Sequence, residues 1–147
     1  MAKLCSACLL GIKCRYDGRD KPNAKVLNLA QKEVLIPVCP EQLGGLAVPR
    51  DPAESTGSGL EVLDGKARVI TKDGKDVTRN FIKGAEEVLK LAKLFNIKEA
   101  ILKQKSPSCG CGKIYDGTFS DTLIDGDGAA AALLKRNNIN VISEEEL

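Results

Sequence analysis

Histidine is absent from the 147-residue sequence, and its absence excludes several kinds of site at once. The chain can form neither a Ser-His-Asp triad nor a Cys-His nucleophile, and it cannot bind zinc through imidazole. Any acid–base step must therefore be carried out by carboxylates, lysines, tyrosines, thiols or water.

Aromatic residues are also scarce, at 3% of the chain, and tryptophan is missing. The core must therefore be aliphatic, and a base-stacking platform for single-stranded nucleic acid is not expected. The formal net charge is only +2, with lysine and arginine spread along the chain. This distribution argues against an extended phosphate-binding surface, so nucleic acid is not an expected partner.

Long apolar runs are missing as well. No stretch approaches the ~20 apolar residues of a membrane span, and the apolar segment at residues 1–4 is too short for a signal peptide. We therefore expect a cytoplasmic protein without membrane contact. The length and the 43% apolar content predict a single domain over residues 1–147, and the sequence leaves its oligomeric state open.

Apolar runs alternate with amphipathic segments along the chain, an order typical of α/β proteins. Strands are expected at residues 4–7, 34–38, 97–103 and 139–142, and the nearly all-apolar second strand is expected to be buried. Helices are expected at 23–31, capped by Asn23, at 77–95, with close packing at Gly84, and at 129–136, with a buried Ala- and Leu-rich start. The Pro-, Gly- and Ser-rich residues 47–59 are expected to form a long loop. The strongest hairpin signal joins Leu60–Leu63 to Lys66–Thr71 through Asp64-Gly65, a pair that favours a type I′ turn. The order of elements predicts a three-layer α/β domain with a mostly parallel sheet and an inserted β-hairpin.

All six cysteines lie in or beside three loops that follow apolar runs, at residues 5–11, 37–41 and 105–112. Right-handed crossovers would bring the loops with Cys8, Cys39 and Cys109 to one edge of the sheet, where ligands collect in α/β folds. In a reducing compartment such cysteines are more often metal ligands or reactive thiols than disulfides. A free cysteine also packs as a small hydrophobe, and for Cys5 on the first strand that role has equal weight.

Three thiolates from three loops suit an iron–sulfur cluster, because such clusters take soft sulfur ligands. With three protein ligands one iron would stay open, and an open iron could bind a substrate sulfur as a Lewis acid. A structural zinc site is the other interpretation of these thiols. It requires Cys5 or Cys111 to complete a tetrahedral shell.

Polar neighbours of the cysteines also suit a reaction site, although each has an ordinary alternative. Glu41 could act as a general acid or base, or it could be a solvated surface carboxylate. Ser106 and Ser108 could donate hydrogen bonds to a substrate or cluster sulfur, or they could cap the turn. Arg15 and Asp17 belong to a mixed-charge segment that could orient a polar heterocycle, and each is otherwise a surface residue.

Several short motifs are distributed along the whole chain. They are Ser6-Ala7-Cys8-Leu9-Leu10-Gly11, Arg15-Tyr16-Asp17-Gly18, Pro37-Val38-Cys39-Pro40-Glu41, Pro49-Arg50, Asp76-Val77-Thr78, Gly84-Ala85, Ser106-Pro107-Ser108-Cys109-Gly110 and Ile114-Tyr115-Asp116-Gly117-Thr118-Phe119. Together they resemble the family of short bacterial and archaeal proteins related to thiouracil desulfidase. The resemblance implies a Rossmann-like α/β domain and a 4Fe–4S cluster held by three cysteines, which by position are Cys8, Cys39 and Cys109.

The resemblance also implies an activity, the non-redox removal of sulfur from a small thiolated compound such as 2-thiouracil. The substrate sulfur would bind the open iron of the cluster. The family's acid–base glutamate and active-site serine would match Glu41 and Ser106, and we expect Arg15, Asp17 and Ser108 to bind the substrate. The alternative function is a sulfur carrier or cluster-storage protein without turnover of its own.

Overall fold

The computed structural model describes residues 2–147 and contains eight strands and five α-helices within them. The strands are β1 Ala2–Ser6, β2 Val34–Val38, β3 Ala53–Ser55, β4 Val69–Thr71, β5 Glu99–Leu102, β6 Lys113–Tyr115, β7 Leu123–Asp125 and β8 Asn140–Ser143. The helices are α1 Ala24–Ala30, α2 Pro40–Leu43, α3 Gly59–Leu63, α4 Thr78–Leu94 and α5 Ala129–Arg136, and short 3₁₀ turns cover Ala7–Leu10 and Glu144–Glu146.

Four parallel strands form the central sheet, in the spatial order β2-β1-β5-β8. Alternate side chains of the two inner strands point to opposite faces. Leu4, Ala100 and Leu102 pack with residues of α4 and α5 on one face. Cys5 and Ile101 pack with residues of α1 and the first 3₁₀ turn on the other face. The three-layer α/β class predicted from the sequence is therefore confirmed.

Local signals explain two of the helices. Asn23 was expected to cap α1, and its Oδ1 accepts hydrogen bonds from the amides of Lys25 at 3.0 Å and Val26 at 3.1 Å. Helix α5 has the predicted bounds 129–136, and its first four alanines are buried, as its all-apolar start indicates. No helix among residues 2–147 combines the length and the apolar character needed to cross a membrane.

The second strand has the predicted bounds but not the predicted burial. Strand β2 lies at the edge of the sheet, and Val34 is 65% exposed. The edge position also explains how Pro37 is accommodated, because a proline without an amide hydrogen is tolerated where no neighbouring strand needs its donor.

The predicted hairpin at 60–71 is wrong in its position. Residues Leu60–Leu63 belong to helix α3, whose start is fixed by a capping box. Ser58 Oγ accepts from the Glu61 amide at 3.2 Å, and Glu61 Oε1 accepts from the Ser58 amide at 3.0 Å. Gly65, with φ +78°, follows the end of this helix instead of forming a hairpin turn. The antiparallel pairs that do exist are β3–β4 and β6–β7.

Close packing at Gly84 was expected, and α2 provides it. A Cβ atom on Gly84 would lie 2.0 Å from the carbonyl oxygen of Pro40, inside any tolerable contact. We expect Gly84→Ala to lower the free energy of unfolding by roughly 1–3 kcal/mol, as overpacking does, although alanine is the better helix former. Urea or thermal unfolding measures this loss. The exposed neighbour Lys83→Ala should change stability by at most about 0.5 kcal/mol, and an unchanged Gly84→Ala would contradict the contact.

Candidate active site

A cavity of about 290 Å³ opens at the carboxyl ends of β1, β2 and β5, the sheet edge at which the cysteine loops were expected to meet. Its wall includes Ser6, Val38 and Lys103, each at or just beyond the end of one of these strands. The functional side chains that line the cavity are Cys8, Cys14, Arg15, Tyr16, Cys39, Glu41, Arg50, Glu54, Ser106, Ser108, Cys109, Tyr115 and Asp121. The structure therefore brings together all three cysteine loops.

Each cysteine loop is held by local backbone chemistry. Cys8 lies in the 3₁₀ turn that follows β1 directly, and Gly11 ends that turn with φ +92°. Cys39 is the N-cap residue of α2, where Pro40 provides a helix start that needs no amide donor. The Cys109 amide donates to Ser106 Oγ at 2.7 Å, so this serine closes the third loop.

Helix α5 begins against the third cysteine loop. The carbonyl oxygen of Ser108 accepts a hydrogen bond from the Ala130 amide at 2.9 Å. A Cβ atom on Gly128 would lie 2.5 Å from the carbonyl carbon of Ser108, so only glycine fits at this approach. The loop that carries Cys109 is thus fixed by the backbone of a neighbouring helix.

Burial and mutual contact raise the pKa of three thiols of the cavity, those of Cys14, Cys39 and Cys109. Burial is the main cause that raises the pKa of Cys109 to about 12, against hydrogen bonds from the hydroxyls of Ser6 and Ser108. The Cys39 thiol lowers the pKa of Cys14, but a hydrogen bond with Cys8 and burial outweigh that effect and raise it to about 11. The same contact with Cys14, together with burial, raises the pKa of Cys39.

Glu41 is fixed by two side chains within the cavity. Its Oε1 accepts from Arg50 Nε at 3.1 Å, and its Oε2 accepts from Ser108 Oγ at 2.9 Å. The side chains of Arg50 and Glu41 are only 9% and 17% exposed, so the pair is largely shielded from water. Arg50 also donates from Nη2 to the carbonyl oxygen of Cys14 at 3.0 Å. The carboxylate of Glu41 therefore has a fixed orientation in the cavity that the cysteines line.

The other predicted site residues differ in their placement. Ser106 lines the cavity, and its hydroxyl lies 3.3 Å from that of Ser108 while it also accepts from the Cys109 amide. Arg15 lines the cavity with its guanidinium 5.8 Å from the centroid of the Tyr16 ring. Asp17 is not among the lining residues, and its Oδ1 accepts from the Arg19 amide at 3.0 Å across a turn.

Sequence reasoning left Cys14 outside the site, yet this cysteine lines the cavity and is only 3% exposed. The resemblance to the family implies no ligand role for this position, so only the folded path of residues 11–15 reveals that Cys14 lies in the cavity. Cys5 and Cys111 are not among the lining residues. Cys5 is buried in the core beneath the sheet, and the Cys111 thiol donates to the carbonyl oxygen of Val141 at 3.4 Å.

The wall formed by Glu54, Tyr115 and Asp121 was not anticipated either. Glu54 Oε1 accepts from the amides of Gly117 at 3.0 Å and Phe119 at 3.1 Å. These bonds tie the segment between β6 and β7 to β3. Strand β3 lies in a stretch that the sequence predicts as a loop, so no pattern indicated this wall.

The cavity offers thiol and carboxylate donors for a metal group. Among residues 2–147, no three cysteine, aspartate or glutamate side chains are arranged to hold a single metal ion. Thiols that surround a shared cavity from separate loops fit a larger, polynuclear group, since such a group spans the space between its ligands. Soft sulfur donors are the ligands that iron–sulfur clusters take.

Comparisons with known proteins place the chain in a family. A profile of the 2-thiouracil desulfurase family matches residues 4–146. The uncharacterized protein YbbK of Bacillus subtilis (strain 168) is 48% identical over 145 residues, which cover 98% of this chain and 96% of YbbK. The solved structure of TudS, a 4Fe–4S-dependent thiouracil desulfidase, matches with a TM-score of 0.88 and 42% identity over 99% of this chain and 92% of TudS. As the motifs predicted, the chain belongs to the 2-thiouracil desulfurase family.

Proposed function

We propose that the protein is an iron–sulfur enzyme that removes sulfur from a small thiolated compound such as 2-thiouracil, without a net redox change. One observation carries the proposal: the thiols of Cys8, Cys39 and Cys109 and the carboxylate of Glu41 line a single cavity. Membership of the 2-thiouracil desulfurase family supports the reaction. The match to TudS, described as 4Fe–4S-dependent, supports the cofactor.

Cys8, Cys39 and Cys109 would hold the cluster in this proposal. Their thiols come from loops that follow three different strands, and the donor chemistry fits a 4Fe–4S group. When bound, the cluster would supply a Lewis-acidic iron to the thiocarbonyl sulfur of the substrate. The raised pKa values of Cys39 and Cys109 mean that these thiols lose their protons as they become ligands.

Glu41 is the general base of the proposed reaction. Its carboxylate removes a proton from the water that attacks the thiocarbonyl carbon, and it returns the proton to the departing sulfur. Arg50 fixes the orientation of the carboxylate, because the guanidinium binds Oε1. Ser108 binds Oε2, and Ser106 holds the cysteine loop beside it. Water and 2-thiouracil then give uracil and sulfide.

The polar rim of the cavity is proposed to orient the substrate. Arg15 and Ser108 line the cavity. The Arg15 guanidinium offers donors to a ring carbonyl or thiocarbonyl group, and the Ser108 hydroxyl, whose proton binds Glu41, offers an oxygen that can accept from a ring N–H group. The role assigned to Asp17 stays a prediction. Since its carboxylate binds the Arg19 amide, Asp17 would act by shaping the turn that presents Arg15.

Anaerobic turnover tests the proposal. The protein, reconstituted with iron and sulfide, should convert 2-thiouracil to equal amounts of uracil and sulfide, measured by chromatography and a colorimetric sulfide assay. Protein that has not been reconstituted is the control and should be inactive, because the Lewis acid is missing. A fully clustered protein that releases neither product would show that 2-thiouracil is not a substrate.

A further inference from the structure

Cys14 is a fourth thiol in the cavity, and the proposed reaction gives it no role. Its side chain is 3% exposed and lines the same cavity as the three proposed ligands. The Cys39 thiol donates to the carbonyl oxygen of Cys14 at 3.7 Å, and Cys8 lines the cavity beside them. A fourth cysteine within reach of two ligands is the arrangement that a closed, four-cysteine cluster requires.

The segment that carries Cys14 is tied to the general base. Arg50 Nη2 donates to the carbonyl oxygen of Cys14 at 3.0 Å, while Arg50 Nε donates to Glu41 at 3.1 Å. The Arg50 amide also donates to the carbonyl oxygen of Tyr16 at 2.8 Å. One arginine therefore sets the position of Cys14 relative to Glu41. The main chain from 11 to 23 contains neither helix nor strand, so the Cys14 segment is not held by regular backbone pairing.

We propose that Cys14 is an exchangeable fourth ligand, which closes the cluster at rest and gives way to the sulfur of the substrate. The inference rests on the proposed function, since it requires the three-cysteine cluster. On exchange, the bond between the Cys14 thiolate and iron breaks, a bond between the thiocarbonyl sulfur and iron forms, and Cys14 takes up a proton from water. No electron is transferred.

A closed cluster at rest has a chemical advantage. An iron without a protein ligand is readily lost on oxidation, and a fourth thiolate protects it. Cys14 must be displaced before another thiolate can bind. The apparent affinity for an incoming thiolate is therefore the affinity of the open cluster multiplied by the fraction of clusters that are open. These two properties, protection of the fourth iron and competition with incoming thiolates, separate a ligand from a thiol that only packs.

The test measures the iron content per chain and the electron paramagnetic resonance spectrum of the cluster. Reconstituted wild type and Cys14→Ala are oxidised anaerobically with ferricyanide, then assayed for iron and by electron paramagnetic resonance. Wild type should keep about four irons per chain, whereas Cys14→Ala should fall to about three and show the signal of a 3Fe–4S cluster. A small thiolate, 2-mercaptoethanol, titrated by visible absorption, should bind Cys14→Ala at least about tenfold more tightly than wild type.

Cys111→Ala is the matched control, because it removes a cysteine that is not among the lining residues, and it should behave as wild type does. Cys14→Ser preserves the side-chain volume and should also lose the fourth iron more readily than wild type. Equal retention of iron in wild type and both Cys14 variants would overturn the proposal, and so would a Cys14→Ala protein that binds no cluster at all. The proposed function fails separately, if wild type itself assembles no cluster.

Discussion

Replacing Cys8, Cys39 or Cys109 by alanine should abolish cluster binding. Wild type reconstituted anaerobically is expected to hold about four irons and four acid-labile sulfides per chain, and each variant should fall toward background. The physical reason is that a cluster with three permanent protein ligands loses a third of its anchoring bonds with each substitution. Iron, sulfide and zinc analyses on the same samples measure the effect.

Cys109→Ala should give the most complete loss of the three. Its thiol is buried in the third loop, whereas Cys8 and Cys39 share their part of the cavity with Cys14, which can take their place in part. Cys5→Ala and Cys111→Ala are the controls and should retain the wild-type iron content, since neither cysteine is among the lining residues. Iron at background in wild type together with stoichiometric zinc would refute the desulfidase mechanism and leave a metal-stabilised fold.

The parts of the fold that the sequence predicts are those in which local and tertiary signals agree. Strand β2 and helix α5 have the predicted bounds because apolar runs and polar breaks coincide with their ends. Helix α1 begins at its predicted cap because the Asn23 side chain satisfies free amides of the first turn. The burial of β2 was not predictable in the same way. It depends on which strand lies at the edge, and that is decided by the order of the whole sheet.

Helix α3 shows why the hairpin was misplaced. Five residues are too few for a helical period to differ clearly from a strand pattern, and Asp64-Gly65 is a strong turn signal in either case. The deciding information was the Ser58-x-x-Glu61 capping box, a local pattern that marks a helix start. It lies in the Gly- and Ser-rich stretch that otherwise reads as a loop.

The candidate site also has a part that the sequence predicts and a part that it does not. Cys8, Cys39 and Cys109 are predictable because each follows a strand, and parallel strands end at a common edge. The contacts that hold the Glu41 side chain are not predictable in this way. Ser108 binds Glu41 across 67 positions of the chain, and Cys14 contacts Arg50 across 36. Such pairs depend on how loops without regular structure fold back, and residue spacing alone does not encode them.

Glu41→Gln should lower the kcat of desulfidation by about 10²–10⁴-fold, the range that loss of a general base produces. Glutamine has the same shape. Its Oε1 can still accept from Arg50 and its amide group can donate to Ser108 Oγ, so the variant removes the basic charge with little change in geometry. Arg50 keeps two backbone acceptors, the carbonyl oxygens of Ala47 and Cys14, which helps to preserve the fold. Steady-state kinetics with 2-thiouracil measure the fall, and the iron content should equal that of wild type.

The same variant separates the enzyme from the sulfur carrier. If Glu41 only activates water, Glu41→Gln still loads sulfide onto the reconstituted protein as wild type does, because loading needs no attack on carbon. Glu54→Gln is the matched control, since the Oε1 of this second carboxylate of the cavity accepts from the amides of Gly117 and Phe119 and so fixes the segment between β6 and β7. Its rate should exceed that of Glu41→Gln by at least about tenfold, because the proposed reaction takes its proton acceptor from Glu41. Equal rates for Glu41→Gln and wild type would remove Glu41 from the mechanism. An active cluster with sulfide loading and no turnover in wild type would instead identify a carrier.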